Sequence, residues 1–84
     1  MSRALPPAPL RAALADVLEI PSDQVTADLS AAGLPSWDSF RQLQAILALE
    51  SEFQVRFDPR RMGDLTSVAA LETELRALGV SFEA

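Results

Sequence analysis

The sequence predicts an all-α four-helix bundle of three longer helices and one short helix, with a long loop between the first and second helices. Three stretches repeat apolar residues at helical spacing. A connection rich in turn residues, 21–37, separates the first two stretches. The 84 residues suffice for one domain. A chain this short buries about 60% of the surface of its unfolded form, which leaves little room for an enclosed substrate cavity.

The first predicted helix follows a leader, residues 1–9, that contains three prolines and is predicted to be flexible. It ends at Ile20-Pro21, because a residue before proline disfavours helix. Its apolar face is Leu10, Ala13, Leu14, Val17 and Leu18. In the connection that follows, we expect three apolar residues to enter the core: Val25, Leu29 and Leu34. A short helical turn within this connection is compatible with its pattern.

Asp38 is a favourable N-cap for the second helix, which should run to about Phe53 without internal glycine or proline. We assign its apolar stripe to the core: Phe40, Leu43, Ile46, Leu47 and Phe53. Residues 54–57 alternate like a strand, but a lone strand has no pairing partner. We therefore interpret them as extended loop.

The short third helix should open at Asp58-Pro59, an N-cap followed by proline, and stop near Gly63. Thr66 or Ser67 should cap the last helix, and Gly79 should close it. Its apolar face is Val68, Leu71, Leu75 and Leu78. We expect a folded domain over 10–79 and a C-terminal tail over 80–84.

Composition excludes several functions. The net charge is −5, which disfavours nucleic acid and anionic membranes as partners and favours basic proteins. The chain has no cysteine, histidine or lysine, so disulfides, a metal site, histidine-based proton transfer and Schiff-base chemistry are not expected. We therefore expect a protein that is not an enzyme. Without a membrane-spanning run or a signal-peptide pattern, a cytoplasmic monomer is the expectation.

Residues 34–40 carry the most informative motif: Leu-Pro-Ser-Trp-Asp-Ser-Phe. Asp38-Ser39 followed by a large apolar residue, at the start of a helix, resembles the signature of the acyl carrier protein family. The resemblance extends over about residues 10–78, in which further matching positions are Ile20-Pro21, Val25, Asp28-Leu29, Leu43, Leu47, Leu49-Glu50, Glu52-Phe53 and Leu65 to Val68. The Trp-Asp-Ser sequence resembles that of small standalone carriers of bacterial secondary metabolism.

The resemblance implies that a phosphopantetheinyl transferase moves a 4'-phosphopantetheine arm from coenzyme A onto Ser39, with Asp38 as its neighbour in the motif. The arm's thiol then holds an acyl group as a thioester between a loading enzyme and an accepting biosynthetic enzyme, as in polyketide biosynthesis. A phosphodiester on Ser39 is also electrostatically favourable, because the unpaired N–H groups and the positive dipole end of a helix N-terminus stabilise an anion.

Several alternatives stay open at this point. Ser39 is also compatible with an ordinary early-helix serine, and Trp37 with a lid on the loop–helix junction or with a substrate contact. The second-helix stripe is compatible with a core role and, as the resemblance implies, with a core that opens to shelter an acyl chain. A peptidyl carrier of nonribosomal peptide synthesis and an unmodified helical interaction module are the alternative functions.

The chain departs from fatty-acid carriers around the predicted attachment site. Those carriers usually place acids along the second helix and into the third, whereas this chain has Arg41, Gln44, Arg60 and Arg61. Phe40 replaces the more common leucine. We therefore expect partners other than fatty-acid enzymes, and the predicted partner-binding residues are Trp37, Phe40, Arg41, Gln44, Arg60 and Arg61. The alanine-rich, lysine-free composition is compatible with a GC-rich bacterial genome.

Overall fold

The computed structural model describes residues 5–82 and confirms the predicted helical bundle. Three α-helices and one short 3₁₀ helix form it: α1 (Ala8–Leu18), α2 (Ser39–Phe53), the 3₁₀ helix (Pro59–Asp64) and α3 (Val68–Ala77). The long connection contains two single 3₁₀ turns, Ser22–Gln24 and Ala31–Gly33. Within residues 5–82, no helix has the length and apolar character needed to cross a bilayer.

Helix α1 begins inside the predicted leader, at Ala8. Pro9 is compatible with this position because N–H groups in the first turn have no partner within the helix. Residues 1–4 of the leader lie outside the described residues. At the other end Glu19 adopts a left-handed conformation, with φ of 57°, and stops the helix before the predicted Ile20-Pro21 boundary.

The core lies between the three α-helices, and Val25 from the connection is fully buried in it, as predicted. Two backbone hydrogen bonds hold the connection against the entry to α3. Ala31 N donates to the Thr66 carbonyl at 2.9 Å, and Val68 N donates to the Leu29 carbonyl at 3.0 Å. The connection thus has a fixed course toward the start of α2.

Helix α2 begins and ends as predicted, but the prediction for its buried face is partly wrong. Ile46 is buried together with Ala45 and Leu49. Three residues of the predicted core stripe are exposed instead: Phe40 (65%), Leu43 (47%) and Leu47 (56%). The reason is that α2 carries apolar residues on two faces, and the packing of α1 and α3 selects the face that contains the smaller Ala45.

The last part of the chain follows its capping signals. The short third helix is a 3₁₀ helix opened by Asp58, and Ser67 rather than Thr66 caps α3. Gly79 has φ of 96°, which suits glycine just after a helix end. Leu78 is exposed, so its assignment to the core face was wrong.

The described part of the predicted tail packs back on the bundle. The Phe82 ring meets Phe53 edge-on, with 5.4 Å between ring centroids. The Arg76 guanidinium lies 5.0 Å from the centroid of the same ring. These contacts place Phe82 with the folded domain, whereas residues 83–84 lie outside the described residues.

Candidate functional site

Ser39 is the first residue of α2 and is exposed. Asp38 caps the helix, since its side-chain carboxylate accepts a hydrogen bond from Arg41 N at 2.9 Å. The Asp38 backbone is extended, with φ of −94° and ψ of −173°, so the chain enters the helix at an angle. The Ser39 hydroxyl therefore stands at the positive end of a capped helix, open to an approaching enzyme.

Trp37, the residue before the Asp38 cap, is buried, with 3% of its surface exposed. Its indole Nε1 donates to the Gln42 side-chain oxygen at 2.7 Å. This burial agrees with the lid interpretation of Trp37. Its predicted role in partner binding stays a prediction, and a ring contact with a partner would require the junction to open.

Gln42 is the residue that sequence reasoning missed. Besides accepting from Trp37, its side-chain Nε2 donates to two backbone carbonyls, Met62 O at 3.2 Å and Leu65 O at 2.8 Å. These carbonyls lie in the 3₁₀ helix and just after it. One feature of the sequence could have indicated this role. Gln42 lies three, four and seven residues before Ala45, Ile46 and Leu49, so its polar side chain falls on the buried face of α2.

A cavity of about 410 Å³ lies beside Ser39. The connection, the start of α2 and the 3₁₀ helix line it, with Trp37, Ser39, Gln42, Leu43, Met62 and Thr66 among its walls. Its volume falls within the range of small-molecule sites. The cavity therefore offers a place beside the Ser39 hydroxyl for part of an attached group.

The three exposed apolar side chains of α2 form what we term the outer stripe: Phe40, Leu43 and Leu47. They lie three and four residues apart, so they share one face of α2. Gln44 is also exposed on this helix, and the first acidic residue after Ser39 is Glu50. The surface next to Ser39 is therefore apolar and poor in acids, as expected for a surface that another protein covers.

Arg41 does not extend freely into solvent. Its guanidinium donates to the Val17 carbonyl in the last turn of α1 and pairs with Glu19 at 3.1 Å. It thus satisfies a carbonyl that the helix end leaves without an intrahelical partner. Arg41 is among the predicted partner-binding residues, and that role stays a prediction beside these contacts.

The two other predicted partner-binding arginines belong to the 3₁₀ helix, and both are paired with acids. Arg60 bonds to Asp58 at 3.0 Å, and Arg61 bonds to Glu74 of α3 at 3.1 Å. The side-chain hydrogen bond from Arg60 lowers the pKa of Asp58 below its usual 3.8, with a further contribution from the Arg60 backbone N–H. The Arg60 pair lies within the first turn of the 3₁₀ helix, whereas the Arg61 pair joins this helix to α3.

The structure thus brings Trp37, Asp38, Ser39 and Phe40 together at one end of α2, with the 3₁₀ helix alongside. A comparison with curated proteins finds no significant match. The family model described as the phosphopantetheine attachment site matches residues 8–75, from the start of α1 into α3. The chain therefore belongs to the family of phosphopantetheine attachment domains, whose members carry a covalently bound 4'-phosphopantetheine arm.

Proposed function

We propose that the chain is an acyl carrier protein and that Ser39 bears its arm. The observation that carries the proposal is the exposed Ser39 hydroxyl as the first residue of a helix capped by Asp38, inside the matched region. In the modification, the Ser39 oxygen bonds to the pantetheine-bearing phosphorus of coenzyme A and loses its proton. The P–O bond of the pyrophosphate breaks, and adenosine 3',5'-bisphosphate leaves. When bound, the arm supplies a thiol that forms thioesters.

The residues around Ser39 fit a phosphodiester. Backbone N–H groups in the first turn of a helix have no intrahelical acceptors, and the helix dipole favours an anion there. The Asp38 carboxylate already accepts from Arg41 N, so a phosphate on Ser39 would use the N–H groups that precede Arg41 in the first turn. In this proposal the helix start presents Ser39, and partner enzymes carry out the chemistry.

We further propose that the acyl groups belong to polyketide or other secondary-metabolite biosynthesis. Supporting this, the outer stripe is apolar, and the acids of α2 lie at its far end, at Glu50 and Glu52. Enzymes that recognise an acidic second helix with arginine and lysine find few ion-pair partners near Ser39. Partners of this carrier should instead cover the outer stripe with an apolar patch.

Within this proposal, Phe40 and Gln44 are direct partner contacts, and Arg60 and Arg61 set the charge at the rim. Arg41 acts mainly by holding α2 against α1. The substitution that tests the effect of charge on partner choice should therefore be Gln44→Glu, with Arg41 left in place. Gln44→Glu should raise turnover by fatty-acid synthesis enzymes at low salt, because exposed ion pairs contribute about 0.2–1 kcal/mol and are screened by salt.

The experiment that tests the carrier function is an intact mass measurement after incubation with coenzyme A and a broad-specificity phosphopantetheinyl transferase. The expected result is the addition of one arm, followed by acylation of that arm by an acyl-loading enzyme. An unmodified chain after treatment with several transferases of proven activity would overturn the proposal. Loading by an amino-acid-adenylating enzyme instead would assign the chain as a peptidyl carrier.

A further inference from the structure

We infer that Gln42 is a specificity-determining residue that closes the seam between α2 and the 3₁₀ helix, so that cargo stays in the cavity beside Ser39 and does not enter the core. The carrier would then suit short acyl groups rather than long alkyl chains. This inference rests on the proposed function, because it concerns the cargo of the Ser39 arm.

The Gln42 amide bonds to the residue before the α2 cap through its oxygen and across the seam through its nitrogen. Its oxygen accepts from Trp37 Nε1 at 2.7 Å, and its nitrogen donates to Met62 O at 3.2 Å and Leu65 O at 2.8 Å. An indole N–H only donates and a backbone carbonyl only accepts. This orientation of the amide is therefore the one that satisfies all three groups.

The position of Gln42 makes this network a barrier. Gln42 lines the cavity beside Ser39, and on α2 it shares a face with Ala45 and Ile46, which are buried in the core. A chain passing from the cavity toward that core must displace the amide. Alkyl carbon has no group to replace the lost hydrogen bonds, so the Trp37 N–H and the two carbonyls would be left without partners.

Cargo that stays outside this barrier has the cavity of about 410 Å³ and its half-exposed apolar wall residues, such as Leu43 and Met62. A short acyl group fits there without disturbing the amide. A long alkyl chain has to extend beyond the cavity into solvent or onto the outer stripe. The arm's thioester should then be equally open to solvent whatever the chain length.

The test uses the full chain with butyryl, octanoyl or dodecanoyl arms, installed from the corresponding acyl-coenzyme A by the transferase. The first readout is thioester cleavage by hydroxylamine in the wild type. We expect rates within about twofold of one another across the three acyl groups. A dodecanoyl thioester cleaved tenfold or more slowly than the butyryl thioester would show that the core admits the chain, and would overturn the inference without any variant.

The second readout compares variants. Gln42→Ala removes the barrier, so its thermal midpoint should rise from the butyryl to the dodecanoyl form, whereas the wild-type midpoint should not. Gln44→Ala, at an exposed glutamine of the same helix, is the matched control for stability, and its thermal midpoint should not depend on chain length. Gln42→Met keeps the length of the side chain but loses all three hydrogen bonds, and serves if Gln42→Ala does not fold. A folded Gln42 variant that lacks this dependence on chain length would contradict the inference.

Failure of the inference and failure of the proposed function give different results. If Ser39 carries no arm, none of the acyl-coenzyme A compounds changes the mass of the protein. If the arm is present and Gln42 is not a barrier, all forms acquire mass, and either the wild type protects long chains or the folded Gln42 variant shows no dependence on chain length. The intact mass spectrum therefore separates the two failures before cleavage or stability is measured.

Discussion

Leu47 and Leu49 of α2 provide a direct test of which face of this helix is buried. They are two residues apart on the same helix, yet Leu47 is 56% exposed and Leu49 is fully buried. Substituting each by alanine removes the same atoms and changes helix propensity little. The difference in stability between the two variants therefore reports burial almost alone.

The expected magnitudes follow from these exposures. Complete burial of a leucine side chain stabilises by about 1.5–3 kcal/mol, and truncation in a core adds a cavity term, so Leu49→Ala should cost about 2–5 kcal/mol. Less than half of Leu47 is removed from solvent, and the surface can relax around it. Leu47→Ala should therefore cost about 1 kcal/mol or less.

Thermal and urea unfolding followed by circular dichroism measures both variants. At about 4–8 °C per kcal/mol for a domain of this size, Leu49→Ala should lower the midpoint by about 10 °C or more, and Leu47→Ala by a few degrees. The Leu47→Ala carrier should also be a poorer substrate for its partner enzymes although it remains folded. Equal destabilisation by the two substitutions would refute the assignment of Leu47 to a docking surface.

Three further predictions concern hydrogen bonds and charges around α2 and the 3₁₀ helix. Asp38→Ala should lower the free energy of unfolding by about 1 kcal/mol because it removes the α2 cap, whereas Asp38→Asn, which still caps, should lose much less in the same urea titration. Arg41→Ala should cost about 1 kcal/mol through loss of its bonds to the α1 terminus, and a loss no larger than that of Gln44→Ala would contradict this role. Since Arg60 lowers the pKa of folded Asp58, this carboxylate stabilises the fold above its ordinary pKa of 3.8, and the contribution is lost as pH falls below that value. The thermal midpoint of Asp58→Asn should therefore change less between pH 5 and pH 3 than that of the wild type, and parallel pH profiles would exclude the effect.

The helix boundaries were predictable because their signals are local. Asp38 and Asp58 accept hydrogen bonds from backbone N–H groups two or three residues ahead, so sequence alone identifies these caps. Gly79 similarly marks a helix end through its own backbone conformation. Such features depend little on how the helices pack.

The orientation of α2 and the role of Gln42 were not predictable in this way. Apolar spacing shows that a face exists, but α2 has two such faces, and only contact with the other helices decides between them. The carbonyls that Gln42 binds lie 20 and 23 residues further along the chain, at Met62 and Leu65. No pattern near Gln42 indicates those partners, and the same holds for Arg41 and the end of α1.

The most direct test of the central claim, that Ser39 carries the arm, compares two exposed serines near the start of α2. Ser39→Ala and Ser36→Ala should both stay helical, since neither side chain is buried. After incubation with coenzyme A and transferase, intact mass spectrometry should show one added arm on the wild type and on Ser36→Ala, and none on Ser39→Ala. An arm on folded Ser39→Ala would place the attachment elsewhere and contradict the account.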